Sequence, residues 1–381
     1  MGRKRRFKVK EHQLYTVLPK VWKELNRENK IDKIYRSRAR RITFLSSLFA
    51  FGFFLQRILF SNKIHSISLE EHPPVFILGL WRTGTTHLHY LMARDARFGY
   101  LNNHQAFTFN FALFSLDRLN KILSIFVPGK RPQDDVRVTL NDPAEEEQAF
   151  STTSTRSSIH SFYFPANRTY VNKYHLFNGI TDQEKDEWKK DYLFILKNIA
   201  YYGKKKDLLL KNPHNTGRVK ELLELFPRAK FIFIHRDPYT VFRSTKKLYN
   251  RMISSQILQH CSQAEIEKLI LEDNANILRK YLGERELIPK GHLVEIGFEE
   301  LELSPLETLG TIYQELNLKG FEEARPAMET YLDSVKQYKR NTYRPPSQLI
   351  LDRIHSEWDF WFEEFGYNKD QEITKATQSI I

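Results

Sequence analysis

A chain of 381 residues, 41% of them hydrophobic and 28% charged, is long enough to bury one sizeable core, which excludes disorder throughout. A single cysteine, Cys261, excludes an intrachain disulfide, so a reducing cytoplasm is the expected compartment. The net charge of +13 argues against a nucleic-acid partner, because residues 1–60 carry 16 Lys and Arg against 4 Asp and Glu and so hold 12 of it. That basic leader includes an apolar run at residues 43–60, TFLSSLFAFGFFLQRILF. Interrupted at Gln56 and Arg57, the run falls short of the roughly 20 residues that cross a bilayer. It lies too far from the start and lacks the small-residue cleavage site of a secretory signal, and Gly2 does not open a myristoylation pattern. Three expectations remain for it: a helix packed on the rest of the chain, a helix in the interface of an anionic membrane to which residues 1–60 are drawn, or a spanning anchor.

Beyond the leader, short apolar, β-rich runs recur at residues 75–78, 207–210, 230–234 and 292–296, most of them separated by helix-like segments. Strands alternating with helices predict a parallel sheet covered on both faces, with ligands where loops leave the carboxyl ends of strands. The first run opens VFILGLWRTGTTHL (75–88), which has the glycine spacing of a phosphate loop at Gly79 and Gly84 but Thr85 where a nucleotide-triphosphate loop has its lysine. Its one cation is Arg82, and the backbone N–H groups at the start of the next helix point at an anion. Next, residues 98–107 contain His104, a group able to take a proton, and Gln105. The acidic run NDPAEEE (141–147) offers Glu145 and Glu147 for the same task. His87 and His89, two apart on a helix, face different directions and make no metal pair. The second run leads into KNPHNTGRVKELLELFP, where Lys211 ends a strand, His214 sits at a helix start, and Phe226-Pro227 stops the helix. The third reads FIFIHRDPYTVFRSTKKL, with Asp237-Pro238 opening a helix; Arg236 and Ser244, eight residues apart, are placed to converge on one phosphate. Asp237 also has the look of a Walker B carboxylate.

Strand, Gly79-Leu-Trp-Arg-Thr-Gly-Thr-Thr86 and helix together resemble the PAPS-dependent sulfotransferases of bacterial type, whose loop binds the 5′-phosphosulfate of 3′-phosphoadenosine 5′-phosphosulfate (PAPS). Trp81 and Thr83 replace the family's proline and serine. The resemblance runs from about residue 73 to about 367 and includes the Arg-Asp-Pro signature with its following Ser. Late on, it includes LVEIGFEELELSPLETLGTIYQEL (293–316) and the basic segment KQYKRNTY (336–343). It implies that Arg82 and the backbone of Thr83, Gly84, Thr85 and Thr86 hold the 5′-phosphate. Arg236 and Ser244 would hold the 3′-phosphate, and Lys211 would stabilise the bridging oxygen as the sulfate leaves. His104 is the expected base, with Glu145 or Glu147 as rivals.

The chain is therefore expected to be an α/β, P-loop-like sulfotransferase: a leader at 1–72, a catalytic domain at 73–367 and a tail at 368–381. Its donor would be PAPS, it would need no metal, and it would work in the cytoplasm, peripheral on the inner face of a membrane. Phe107, Phe109, Phe111, Phe114, Tyr163 and Phe164 suit a pocket for a sterol, phenol or lipid alcohol, while a carbohydrate acceptor stays open. The rivals are a P-loop kinase or NTPase, disfavoured by Thr85, and a membrane-bound scaffold without turnover.

Overall fold

The computed structural model describes residues 12–114, 139–204, 207–336 and 346–369. Four strands form one sheet: β1 (Val75–Leu78), β2 (Leu209–Lys211), β3 (Lys230–His235) and β4 (Leu293–Gly297), in the order β2-β1-β3-β4 and all parallel. Ile77 pairs with Lys211 on one side and Ile232 on the other, and Phe233 pairs with Glu295. The four residues of β1 are all buried, as expected for a central parallel strand covered on both faces.

Alternation along the strands divides the core. Phe76, Leu78, Phe231 and Phe233 point into one layer with α6 (Asp182–Gly203), α9 (Gln263–Glu284) and α11 (Gln348–Phe365). Val75, Ile77, Ile232, Ile234, Val294 and Ile296 point the other way, onto α3 (Thr85–Met92) and α10 (Pro305–Glu315). From β1 the chain moves outward to β2, and from β3 outward to β4 on the opposite edge. The ends of β1 and β3 thus diverge and open a crevice between them.

From residue 12 on, the leader is folded onto the domain. Leu14 of the 3-10 turn Gln13–Thr16, Val21, Trp22 and Leu25 of α1 (Pro19–Glu28) and Ile42 of α2 (Arg36–His65) form a third cluster with Tyr163, Phe164, Tyr170 and Leu258. α2 passes unbroken through Gln56, whose side chain turns inward: Nε2 donates to Phe109 O at 2.9 Å and Oε1 accepts from Leu113 N at 3.0 Å. The helix is thus longer than its apolar run, and by length and composition alone it is apolar enough to cross a membrane. Its buried residues, Ile42, Ser46, Phe53, Gln56 and Ile64, lie against one side of the domain.

Candidate active site

The loop after β1 is held by what a side chain would collide with. Gly79 has φ +142°, and a Cβ there would lie 2.5 Å from Ile234 O; at Gly84, with φ +103°, it would lie 2.2 Å from the Phe298 ring. Arg82 itself is left-handed, at φ +73°. The Thr216 hydroxyl accepts from Gly79 N at 2.9 Å and donates to Gly79 O at 3.1 Å, tying the start of the loop to the segment after β2. Thr83 is buried and donates to Leu80 O at 2.9 Å, and Thr85, in the lysine position of a triphosphate loop, is buried too. Trp81 anchors the outer arm, with its ring edge-on to His214 at 4.8 Å and to Phe162 and His175 at 5.7 Å.

The neighbouring strand brings a lysine to the loop. Lys211, the last residue of β2, is 3% exposed, and its Nζ lies 3.3 Å from Thr86 Oγ1 and 2.5 Å from Glu145 Oε1. Glu145 stands at the N-cap position of α5 (Glu146–Thr153) and keeps 21% of its side chain exposed. An ammonium, a hydroxyl and a partly open carboxylate therefore meet at the N-terminus of α3, where the helix presents its free N–H groups.

The other two carboxylates of the acidic run turn inward. Glu147 and Arg218 form a fully buried ion pair at 2.7 Å. Glu147 also accepts from Ser157 Oγ, Ser158 N and Asn212 Nδ2 at 2.7–3.0 Å. Burial would raise its carboxyl, but Arg218 and the other donors outweigh that and hold it well below the usual range. The carboxylate is thus sealed from solvent among its donors. Glu146, accepting from Tyr192 OH at 2.9 Å and Asn215 Nδ2 at 2.7 Å, is pushed up to about 7 by burial.

Across the crevice, Arg82 Nε donates to Ser244 Oγ at 2.8 Å, and Arg236 Nη1 reaches Arg82 O at 3.4 Å while its guanidinium lies 4.0 Å over the Phe298 ring. Ser244 lies on α8 (Pro238–Gln256). Arg82, Ser244 and Arg236, assigned by sequence to two separate phosphates, are one cluster here. Asp237 is the N-cap of α8 and accepts from Thr240 N at 2.7 Å, so it serves as a helix cap and not as a Walker B carboxylate.

His104, the expected base, lies on the segment that follows α3. On α4 (Asn103–Thr108) it is buried, with Nδ1 3.4 Å from Tyr202 OH and Nε2 3.4 Å from Thr108 Oγ1, and burial lowers its pKa. Neither contact is with Lys211 or the loop. Gln105 closes a capping box with Asn102, a sufficient reason for an amide at that position. His214 is also buried, its Nδ1 2.5 Å from Ser158 Oγ, and burial lowers it to about 4. His87 stacks near Tyr331, and buried His89 meets Tyr100 edge-on. Of the aromatics expected around an acceptor, Phe109, Tyr163 and Phe164 are core, and Phe111 stacks on Phe49 and Phe53 of α2 at 5.1 and 5.8 Å. Nearly all of the basic segment at 336–343 lies outside the described residues.

Comparison with known proteins places this geometry. A family model described as the sulfotransferase family matches residues 73–323. The chain is 29% identical over 330 residues, 86% of its length and 83% of the relative's, to proteins named omega-hydroxy-beta-dihydromenaquinone-9 sulfotransferase Stf3, from Mycobacterium bovis and Mycobacterium tuberculosis. Among solved structures it resembles sulfotransferase STF9 from Mycobacterium avium, with TM-score 0.65 and 18% identity over 91% of this chain and 96% of that one. It also resembles sulfotransferase STF1 from Mycobacterium tuberculosis, with TM-score 0.60 and 18% identity over 91% and 100%. At that identity these two structures speak for the fold.

Proposed function

The chain belongs to the sulfotransferase family, and from that premise we propose that it transfers a sulfuryl group from PAPS to the hydroxyl of a lipid-type alcohol. The observation that carries the reading is the meeting of Lys211 Nζ with Glu145 Oε1 at 2.5 Å and Thr86 Oγ1 at 3.3 Å, at the mouth of the loop. The acceptor oxygen attacks sulfur, the bond from sulfur to the bridging oxygen breaks, and Glu145 takes the acceptor's proton. Lys211 neutralises the charge that develops on the departing adenosine 3′,5′-bisphosphate, where a buried ammonium needs no reorganisation to act. The N–H groups of Thr83 to Thr86 hold the 5′-phosphate. Arg236 and Ser244 hold the 3′-phosphate, and Arg82, bonded to Ser244, bridges the two ends of the nucleotide. On this reading Glu145 replaces His104 as the base, because the carboxylate stands beside Lys211 while the contacts described for the imidazole are with Tyr202 and Thr108.

The name of the relatives, a hydroxylated menaquinone derivative, supports a lipid-type acceptor. The catalytic unit is proposed to be residues 73–367, with 1–72 as leader and 368–381 as tail. Its place is the cytoplasm, on the inner face of a membrane, where donor and lipid meet. Incubating the purified full chain with PAPS and a pool of isoprenoid alcohols, sterols, phenols and sugars, followed by mass spectrometry, tests this. A sulfated lipid alcohol is expected. A sulfated sugar alone would refute the acceptor class, and turnover of a triphosphate with magnesium but not of PAPS would refute the donor.

A further inference from the structure

Helix α2 is apolar on two opposite faces, and only one of them is occupied. Ile42, Ser46, Phe53, Gln56 and Ile64 are buried against the domain. About half a turn away, Phe44, Leu48, Phe51, Phe54, Ile58 and Leu59 are each 53–70% exposed. At 100° per residue these six fall within one broad stripe, and Arg40 lies one turn before Phe44 on the same face. A helix that is apolar all round belongs in a core or in lipid. Exposed apolar side chains gathered into one stripe of this length mark a contact surface.

The charge beside the stripe names the partner. α2 has no acidic residue, and Arg36, Arg40, Arg41, Arg57 and Lys63 are exposed along it. At its N-terminal end a groove of about 410 Å³ between α1 and α2 is lined by Lys30, Arg36, Arg40 and Asn26. Cationic groups around a polar groove, set at the end of an apolar stripe, match the phosphate headgroups and acyl boundary of an anionic bilayer.

The packing decides how the helix lies. Its inner side touches the domain along its whole length. Arg38 bonds Ile257 O, while Ser46 Oγ donates at 2.7 Å to Val17 O of the leader's own first turn. Gln56 holds Phe109 O and Leu113 N, and Lys197 Nζ donates to His65 O at 3.0 Å. A helix so fastened cannot pass through a bilayer without carrying the domain into the hydrocarbon. We propose that α2 lies flat in the interface of an anionic membrane, its outer stripe sunk at the headgroup boundary and Lys30, Arg36 and Arg40 on lipid phosphates. The proposal deepens the membrane placement given above and rests on it, not on the chemistry of the crevice.

The experiment is flotation of the full-length protein with phosphatidylcholine vesicles and with vesicles that also contain phosphatidylglycerol. Phe51→Asp and Arg36→Glu/Arg40→Glu are tested beside wild type, and gel filtration and thermal denaturation check that each is folded. Wild type is expected to float with the anionic vesicles. Phe51→Asp should bind them roughly tenfold or more weakly, and the Arg36→Glu/Arg40→Glu protein should lose its preference for them while keeping its thermal midpoint. Fluorescence of a Phe51→Trp protein should be quenched by lipids brominated near the headgroup more than by lipids brominated near the chain end. Failure of wild type to bind, equal binding by the variants, or deepest quenching at the bilayer centre would overturn the proposal. So would a dimer of wild type that Phe51→Asp dissolves, since the stripe would then belong to a second copy.

Discussion

Replacing Lys211 by methionine removes one charge while keeping most of the buried stem, which matters because the residue is only 3% exposed. Two effects then separate. In the free protein the loss leaves Glu145 without its 2.5 Å partner, but that carboxylate is 21% exposed and can be hydrated. The stability cost is therefore about 1 kcal/mol, below the 3–5 kcal/mol expected when one half of a sealed pair is removed. In the transition state the missing ammonium faces charge developing at the bridging oxygen, and losing one such preorganised donor costs about 3–4 kcal/mol, or roughly 100- to 1,000-fold in kcat. Single-turnover kinetics with saturating PAPS measures this, and calorimetry with adenosine 3′,5′-bisphosphate gives Kd for the product nucleotide. A large fall in kcat with Kd changed less than about threefold is expected. Glu145→Gln should also lower kcat, and the double variant should be little worse than the poorer single one, because groups acting as a unit are not additive. An unchanged kcat in Lys211→Met with a weakened Kd would make the lysine a binding residue. Full activity in Glu145→Gln would return the base to another group.

Arg236→Ala should weaken adenosine 3′,5′-bisphosphate by roughly 10- to 100-fold and leave adenosine 5′-monophosphate within about twofold; equal losses by calorimetry would refute the 3′-phosphate assignment. Arg82→Ala should weaken both ligands, since its guanidinium joins the loop to Ser244. Gly84→Ala puts a Cβ 2.2 Å from the Phe298 ring in a left-handed backbone, so nucleotide binding should be lost and the thermal midpoint lowered; an alanine protein that binds normally would mean the loop is loosely held. Glu146 has a pKa of about 7 in the fold against an ordinary 4.5, so the folded state keeps a proton that the unfolded chain releases between those values. Its contribution to stability is present below about pH 4.5 and is lost as pH rises through about 7, by up to about 3 kcal/mol. Glu146→Gln should therefore gain on wild type between about pH 5 and about pH 8 in urea denaturation, and a constant difference between the two proteins would refute the buried, protonated carboxyl.

The parallel sheet was legible because each strand is a short apolar run and the loops between carry their own punctuation. Asp237-Pro238 opens α8 and Pro305 opens α10 as their positions suggest. The pairings across the crevice were not legible. Glu145 and Lys211 are 66 residues apart and Arg82 and Ser244 are 162 apart, and nothing in a local pattern joins them. The acidic run carried a usable signal that its charges alone hid. Three successive residues at a helix start point in three directions, so one can face the site while its neighbours turn inward. The buried polar residues Asn212, Asn215 and Arg218, next to Lys211, needed acceptors, and Glu146 and Glu147 supply them. His104 was singled out as the one imidazole in its segment, and what that segment does not show is the capping box of Asn102 and Gln105, which starts the helix that sets the ring 3.4 Å from Tyr202 OH.

The strand order explains why a phosphate loop can do without its own lysine. In β2-β1-β3-β4 the loop after β1 lies between the ends of β2 and β3. Each neighbour contributes one cation from its carboxyl end: Lys211 ends β2, and Arg236 follows directly on β3. A lysine at Thr85 would bring a further cation, beside Arg82, Lys211 and Arg236, into a space that is already closed, since Thr85 is buried and its methyl would lie 2.9 Å from a Cβ at Gly79. Separating the charges lets one act at the reacting end of a nucleotide and the other at the far phosphate. A donor with single phosphates at two positions calls for that division more than a triphosphate does. The same order sets the acceptor's side. Glu145 reaches Lys211 from the acidic run whose helix, α5, packs on α4, and α2 holds the segment that follows α4 through Gln56 and Phe111. The segment after α4 therefore links α2 to the helices beside Glu145, and the proposed membrane-borne acceptor would pass it on the way in. Loosening it by Gln56→Ala, which removes both bonds to the backbone at Phe109 and Leu113, should raise the apparent KM for a vesicle-borne alcohol while leaving nucleotide affinity unchanged, and equal KM values for the two proteins would mean that the acceptor enters elsewhere.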